Sequence, residues 1–302
     1  MRAGCIDKTD QVRSFVYGIG VAGFQSSAKG KPANNRSAMP ETTPPPVCLT
    51  IAGSDNSAGA GAQADLKTFF AMGTYGLTAI TCVVAEVPGK VSAIHPIPAD
   101  VVAEQIKLSL AAFPVAAIKT GMLYSTEIVE LVADILEGTA IPLVVDPVMV
   151  ATSGAMLLRP EALEIYRKRI FPRATVVTPN MDEVAVLTGR PVKTVADIHE
   201  AGGTLAESYS CAWLLKGGHL GGEEATDMLF MGGDEFSVLK SPRIHGVSTH
   251  GTGCTTSAAI AAGLAHGLRL EAAVAQAKEY VTGAITRHHR WGAIHALNHW
   301  KE

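Results

Sequence analysis

Three groups of residues in this 302-residue chain have types and spacings that chemistry can use. The first is His250-Gly-Thr-Gly-Cys-Thr-Thr-Ser257, which runs into the apolar stretch Ala258-Ala-Ile-Ala-Ala-Gly-Leu264. Glycines permit a tight turn, and the N–H groups at the start of the helix that follows make an anion site. A phosphoryl group in transfer needs such fixed donors, because its charge spreads over the equatorial oxygens. Cys254 falls where a helix N-terminus would lower a thiol pKa. For an isolated G-T-G-C the plainer reading, a glycine-rich helix entry with a buried cysteine, is the commoner case.

The second group is Ala52-Gly-Ser-Asp-Asn-Ser-Ala-Gly-Ala-Gly-Ala-Gln-Ala-Asp65. Within it Gly59-Ala-Gly61-Ala-Gln-Ala64 fits the dinucleotide pattern G-x-G-x-x-A, and Glu86 at the end of the next apolar run supplies an acid for a ribose, so a dehydrogenase is a rival. Two features oppose it. The glycines come well after the strand that ends near Ala52, and Asp55 would repel a pyrophosphate. The third group is polar and sits where apolar runs stop: Asp146 after Leu-Val-Val, Asn180 and Glu183 after Val-Val-Thr-Pro, Lys216 after Trp-Leu-Leu. One such Asp is often only a helix cap. Several together suit a magnesium-nucleotide site, with oxygen ligands for Mg²⁺ and a lysine as a point cation for phosphate.

Something must bring these groups together, and the apolar pattern says what. Short β-branched or apolar runs at 47–52, 78–85, 116–120, 143–145, 174–178 and 213–215 read as buried strands. Helical spacing recurs at 64–72, 99–112, 125–136, 160–169, 181–187 and 195–207, and long helices are expected at 255–267 and 270–287. Strands alternating with helices imply crossover units and a mostly parallel sheet covered on both faces, an α/β fold. Ligands in such sheets sit beyond the carboxyl ends of the strands, where the polar residues above fall.

Composition narrows the class. The chain is 47% hydrophobic and 18% charged, with a net charge of -3 and 30 glycines, which excludes a disordered acidic chain or a coiled coil. A near-neutral balance argues against nucleic acid as a partner. Five scattered cysteines make no disulfide framework, so reduced thiols and a cytoplasmic location are expected. No stretch holds 18 uninterrupted apolar residues, so no membrane partner is expected. Residues 1–38 differ from the rest. They carry six Lys or Arg against Asp7 and Asp10, about +4, which leaves about -7 for the remainder. Residues 1–46 are expected to be an extension, or to precede a true start at Met39, with the functional domain at 47–302.

Taken in order, Thr50-Ile-Ala-Gly-Ser-Asp-Asn-Ser-Ala-Gly-Ala-Gly-Ala-Gln-Ala-Asp-Leu-Lys-Thr68, Lys119-Thr-Gly-Met-Leu123, Asp146-Pro-Val-Met149, Thr178-Pro-Asn180 with Glu183, Lys216-Gly-Gly-His219 and His250-Gly-Thr-Gly-Cys-Thr255 form a set. The set closely resembles the hydroxymethylpyrimidine and phosphomethylpyrimidine kinases of thiamine biosynthesis, in the ribokinase superfamily. The resemblance extends over about residues 47–300, through Asn298-His299. It implies a ribokinase-like three-layer α/β/α fold, usually a homodimer, that moves the γ-phosphate of Mg-ATP to a hydroxymethyl aminopyrimidine and then to its monophosphate. By the same resemblance Ala52 and Asp55 lie at the pyrimidine, with Asp55 bonded to its polar edge, and Met122 packs on the ring. Gly251, Thr252 and Gly253 form the anion hole, and Cys254 stands where many relatives place an aspartate base. Asn180 and Glu183, with Asp146, would arrange Mg²⁺, and Lys216 would meet the ATP phosphates.

One position departs from the pattern. The pyrimidine kinases typically carry a base-binding Gln where this chain has Glu86, which accepts hydrogen bonds but donates only when protonated. Val84-Ala-Glu-Val-Pro88 also resembles pyridoxal kinases that keep the G-T-G-C motif, so a vitamin B6 kinase is the alternative. A non-catalytic ligand sensor is an alternative of another class, opposed by the intact Gly251–Cys254 turn, Asn180 and Glu183. His288, His289, His295 and His299 suggest a metal cluster, but solvated tail histidines are the expectation. Cys48, Cys82 and Trp213 read as core residues.

Overall fold

The structure of the protein, a computed structural model, describes residues 43–149, 158–218, 222–232, 235–247 and 250–300. Residues 1–42 of the extension expected at 1–46, Met39 included, and His219 lie outside the described residues. The first half of the chain forms β1 (Val47–Asp55), α1 (Gly61–Ala71), β2 (Tyr75–Val87), β3 (Lys90–Pro96), α2 (Ala99–Ala112), β4 (Val115–Thr120) and α3 (Thr126–Leu136). Next come β5 (Leu143–Val145), α4 (Pro160–Ile165), β6 (Val176–Val177), α5 (Met181–Thr188), α6 (Val195–Ser208) and β7 (Ala212–Gly217). The chain continues through β8 (Glu224–Gly232), β9 (Glu235–Pro242), α7 (Thr252–Ala265), α8 (Leu270–Thr286) and a small hairpin of β10 (His289–Trp291) and β11 (Ile294–Ala296).

Among the described residues one sheet runs in the order β3-β2-β1-β4-β5-β6-β7-β8-β9. The strands from β2 to β7 are parallel, with β3 antiparallel at one edge and β8 and β9 antiparallel at the other. Successive strand residues face opposite layers. Cys48, Ala117, Val144 and Leu214 pack with α1, α7 and α8, while Leu49, Ile118, Val145 and Leu215 pack with the helices of the other face. This is the expected three-layer α/β/α arrangement. The alanine run 258–262 of α7 is wholly buried, as expected of a helix apolar all round and enclosed between sheet and neighbouring helices.

Several expected helix boundaries shift, α1 beginning at Gly61 rather than 64, and β3, β8, β9, β10 and β11 add to the expected strands. Helix α7 begins at Thr252 rather than Thr255, because Gly251 takes a left-handed φ of 83° and starts the helix earlier. The stretch expected as one helix over 160–169 changes at Tyr166 into a wider turn over Tyr166–Ile170 that buries the tyrosine ring. The antiparallel strand β3 is mostly exposed and lacks the continuous apolar run that marks a buried strand. No helix among the described residues is long and apolar enough to cross a membrane.

Candidate active site

Parallel strands deliver their carboxyl ends to one edge of the sheet. There β1 ends at Asp55, Asp146 follows β5, Asn180 follows β6, and β7 carries Lys216. The N-terminus of α7 faces the same edge. Between them lies a cavity of about 980 Å³. Every residue singled out from the sequence for a site lines it: Ala52, Asp55, Glu86 and Met122 at one end, Asp146, Asn180, Glu183 and Lys216 beneath, and Gly251 to Cys254 above. The structure therefore brings together groups that lie up to about two hundred residues apart.

Gly251 is held left-handed, and a β-carbon there would collide with the Gly59 carbonyl. Only glycine lets the two glycine-rich turns approach so closely. The first intrahelical bond of α7 is Thr255 N–H to Gly251 C=O at 2.9 Å, so the amides of Thr252, Gly253 and Cys254 point out of the helix end. At Gly253 a β-carbon would sit 3.3 Å from Lys216 Nζ and 3.5 Å from an Asp146 carboxylate oxygen. Lys216 Nζ is 3.3 Å from Asp146 Oδ1. Burial alone would make this lysine less basic, but Asp146 and Glu183 outweigh it and hold the ammonium charged. Amides and ammonium face the same space, which suits an anion with several oxygens.

Cys254 departs from the expectation drawn from its position. Its sulfur takes a hydrogen bond from the Gly61 amide, so it touches the start of α1 as well as that of α7. Burial nevertheless raises the thiol pKa to about 11, against the nearby Lys119 charge and the amide bond. Desolvation of a thiolate, with Asp65 and Asp146 adding to it, exceeds what that charge and that amide return. Lys119 is fully buried in β4 and pairs with Asp65 Oδ2 at 2.7 Å, while Thr50 Oγ1 donates to the same oxygen at 2.6 Å. Burial opposes its charge, but Asp65 dominates and raises the lysine's pKa.

Asn180 and Glu183 form a capping box on α5: Asn180 Oδ1 accepts the Glu183 N–H at 3.0 Å, and Glu183 Oε2 accepts the Asn180 N–H at 2.8 Å. The other oxygen, Oε1, accepts the Met149 N–H at 3.0 Å. Burial and the neighbouring Asp146 raise the Glu183 pKa, with Lys216 opposing. Among the described residues no group of three or more His, Cys, Asp and Glu could hold a metal ion. Burial and mutual repulsion of the two carboxylates, against one ammonium, disfavour their joint ionisation, which a cation between them would relieve. That donor set fits Mg²⁺, which takes one or two carboxylates and fills its other positions with water and phosphate oxygen.

At the other end, Ala52 and Met122 make an apolar floor, and a β-carbon on Gly53 would meet Met122 Cε at 3.1 Å. Glu86 is half-buried on the β2–β3 hairpin, and its backbone N–H donates to Asn56 Oδ1 at 2.7 Å. Burial and the Asp55 charge raise its pKa, with His250 opposing. Asp55, which the resemblance places at the pyrimidine, lines this space, and its carboxylate is also engaged by its own turn. Its oxygens accept from the amides of Ser57, Gly59 and Ala60, from the Ser57 hydroxyl, and meet His250 Nε2 at 3.3 Å. Burial would raise its pKa, yet these bonds, led by His250, bring it down to about 2. The aspartate organises the turn and ties it to the residue before Gly251.

Beyond Lys216 the cavity is apolar, lined by Leu239, Val274, Val281 and Ile285. Arg243 borders this end with Nε and Nη2 buried and unpartnered. Lys278 Nζ pairs with Asp227 at 2.7 Å nearby. Sequence reasoning gave Lys119, His250 and Arg243 no role. The first two stood inside motifs already set apart, whereas Arg243 had no local signal. His299 also corrects an expectation: it is buried, 3.1 Å from Thr255 Oγ1, rather than a solvated tail histidine. Cys48, Cys82 and Trp213 are fully buried.

Comparison with known proteins adds to this geometry. A sequence model of a family described as phosphomethylpyrimidine kinase matches residues 55–299. The hydroxymethylpyrimidine/phosphomethylpyrimidine kinase of Streptomyces coelicolor is 48% identical over 243 residues, 80% of this chain and 89% of that protein. Among solved structures, an ADP complex of Bacillus subtilis pyridoxal kinase superposes with a TM-score of 0.78 at 38% identity, covering 84% of this chain and 97% of that one. A phosphomethylpyrimidine kinase from Clostridium difficile gives a TM-score of 0.69 at 40% identity, over 79% and 99%.

Proposed function

Because the chain belongs to the phosphomethylpyrimidine kinase family, we propose that it moves the γ-phosphate of ATP to the hydroxymethyl group of an aminopyrimidine and then to the resulting monophosphate. The observation that carries this reading is the single cavity in which the α7 amides and Lys216 stand between an apolar nucleotide end and a polar-rimmed acceptor end. The adenosine lies along Leu239, Val274, Val281 and Ile285, with Arg243 giving its unpartnered donors to the nucleotide. Lys216 and the amides of Thr252, Gly253 and Cys254 receive the transferring group, whose charge grows on the equatorial oxygens. The acceptor ring rests on Ala52 and Met122 with Glu86 at its amino edge. In the first step the hydroxyl oxygen bonds to the γ-phosphorus, the bond to the β–γ bridging oxygen breaks, and ADP leaves. The Cys254 thiol, protonated at neutral pH, orients the acceptor hydroxyl, whose proton leaves late to an oxygen of the transferred phosphoryl group, so positioning and charge stabilisation supply most of the rate.

Asp146 and Glu183, with Asn180 ordering Glu183, would hold Mg²⁺. The ion would neutralise phosphate charge there. Asp55 and His250 keep the two glycine turns together and do not touch the reacting atoms. ATP turnover with and without hydroxymethylpyrimidine tests the reading, and catalysis at background with both pyrimidine and pyridoxal overturns it.

Glu86 favours a second reading, pyridoxal phosphorylation, since that substrate also presents a hydroxymethyl group on a similar ring. Competition between the two acceptors separates them. We extend the proposal to a cytoplasmic homodimer built on residues 47–302, with 1–46 dispensable. Exposed Val83, Val87 and Val91 on the β2–β3 edge support pairing, and the unpaired Cys48, Cys82, Cys211 and Cys254 suit a reducing compartment. Light scattering and ATP turnover of the full chain and of a form starting at residue 47 test both, and a monomer or an inactive short form refutes them.

A further inference from the structure

The tail of the chain reaches the anion turn from below. Leu297 and His299 are 4% and 5% exposed, although Trp300 beside them is 74% exposed. Asn298 N–H donates to the Ala284 carbonyl at 3.1 Å, and the Tyr280 hydroxyl donates to the His299 carbonyl at 2.7 Å. The segment is thus fixed to α8, and it delivers the imidazole to the first turn of α7. His299 Nε2 lies 3.1 Å from Thr255 Oγ1. That oxygen, itself fully buried, lies 2.9 Å from the carbonyl of Gly251. Gly251 is the left-handed residue that starts α7 and sets the direction of the next three amides.

We propose that His299 is a positioning residue for phosphoryl transfer, holding the Gly251–Cys254 turn through Thr255. The inference rests on the phosphotransfer reading above. A hydroxyl has one proton and two acceptor sites, and the Thr255 proton goes to the Gly251 carbonyl. The His299 contact is therefore satisfied with the ring proton on Nε2, His299 donating to Thr255. The imidazole so fixes the Thr255 rotamer at the foot of the turn. The ring itself stays neutral, because burial and the Lys67 charge lower its pKa to about 4. A neutral ring orders the turn without competing for phosphate charge.

Steady-state kinetics of full-length His299→Leu, His299→Gln, Thr255→Val and the Leu/Val double variant, with melting curves alongside, test this. The Gln side-chain amide can donate to Thr255 in place of Nε2. We expect Leu to lower kcat about tenfold while KM for ATP and for the acceptor stays within about twofold, because the turn acts on the transition state. Gln should restore kcat to within about threefold, and the double variant should be no slower than the slower single variant. Raised KM with unchanged kcat, a folded Gln variant no faster than Leu, or multiplying single effects would overturn the proposal. Should the Leu variant fail to fold, Gln against Thr255→Val decides, the proposal requiring a fast Gln and a slow Val enzyme. A wild type without acceptor-dependent ATP turnover would refute the kinase reading, whereas an active wild type matched by all variants refutes this inference alone.

Discussion

The thiol of Cys254 offers the sharpest test of how the proposed reaction proceeds. Its pKa is raised from 9.0 to about 11, so roughly 0.03% is thiolate at pH 7.5, about a hundredfold less than without burial. If that thiolate were the base in the rate-limiting step, kcat/KM would climb about tenfold per pH unit from 7 to 10. A protonated thiol that only orients the acceptor hydroxyl, whose proton leaves late to a phosphoryl oxygen, gives no such slope. We expect a flat profile over that range and a loss of about tenfold for Cys254→Ser, which keeps a hydrogen-bonding group. The assay is acceptor-dependent ADP release from pH 6.5 to 10, for wild type and the Ser variant. Alkylation of Cys254 by iodoacetamide, followed by peptide mass spectrometry, reports thiolate independently and should accelerate toward pH 11. A tenfold-per-unit rise that disappears in Cys254→Ser, together with a loss beyond about a thousandfold, would refute the reasoning.

Glu86→Gln should change the acceptor KM and shift preference toward the pyrimidine over pyridoxal in a competition assay; an unaltered KM would place Glu86 outside the acceptor site. Gly251→Ala forces a side chain into a left-handed backbone beside the Gly59 carbonyl, so kcat should drop on the order of a hundredfold. Turnover near wild type would show that the two turns need not touch. Arg243→Met removes donors that lack a protein partner and should raise KM for ATP about tenfold without lowering stability, read by kinetics and melting temperature. In urea His299 and Asp55 lose stability with acid in two windows. Glu183, raised from 4.5 to about 7, gains it as pH falls through that range, so the His299 part is read as wild type minus His299→Gln. The folded state resists protonating His299, lowered from 6.5 to about 4, so its contribution is complete above pH 6.5 and is lost as pH falls toward 4. Asp55, lowered from 3.8 to about 2, contributes above pH 4 and loses this as pH falls toward 2. The His299 window is on the order of 3 kcal/mol at most, and it should vanish in His299→Gln; a slope there equal to wild type would contradict the assignment.

Much of the architecture was legible because buried parallel strands read as continuous apolar runs. The 143–145 strand and the 99–112 helix fall where periodicity puts them. The partly exposed strands β3 and β9 were not, since an edge strand is held by its neighbour's backbone rather than by its own apolar pattern. The early start of α7 depended on one left-handed glycine, which composition does not announce.

The chain's residue order alone determined which side chains could act: a glycine turn before an apolar helix, and acids, an amide and a lysine at strand ends. Strand ends converge in any parallel sheet, so their meeting was implied. Tertiary structure decided what each does on arrival. Asp55 is engaged by its own turn and His250, and burial outweighs the Lys119 charge and the Gly61 amide at Cys254. His299, in a tail that reads as solvated, lies beneath the anion turn. Desolvation and hydrogen-bond partners come from residues far away in the sequence, and no local pattern encodes them.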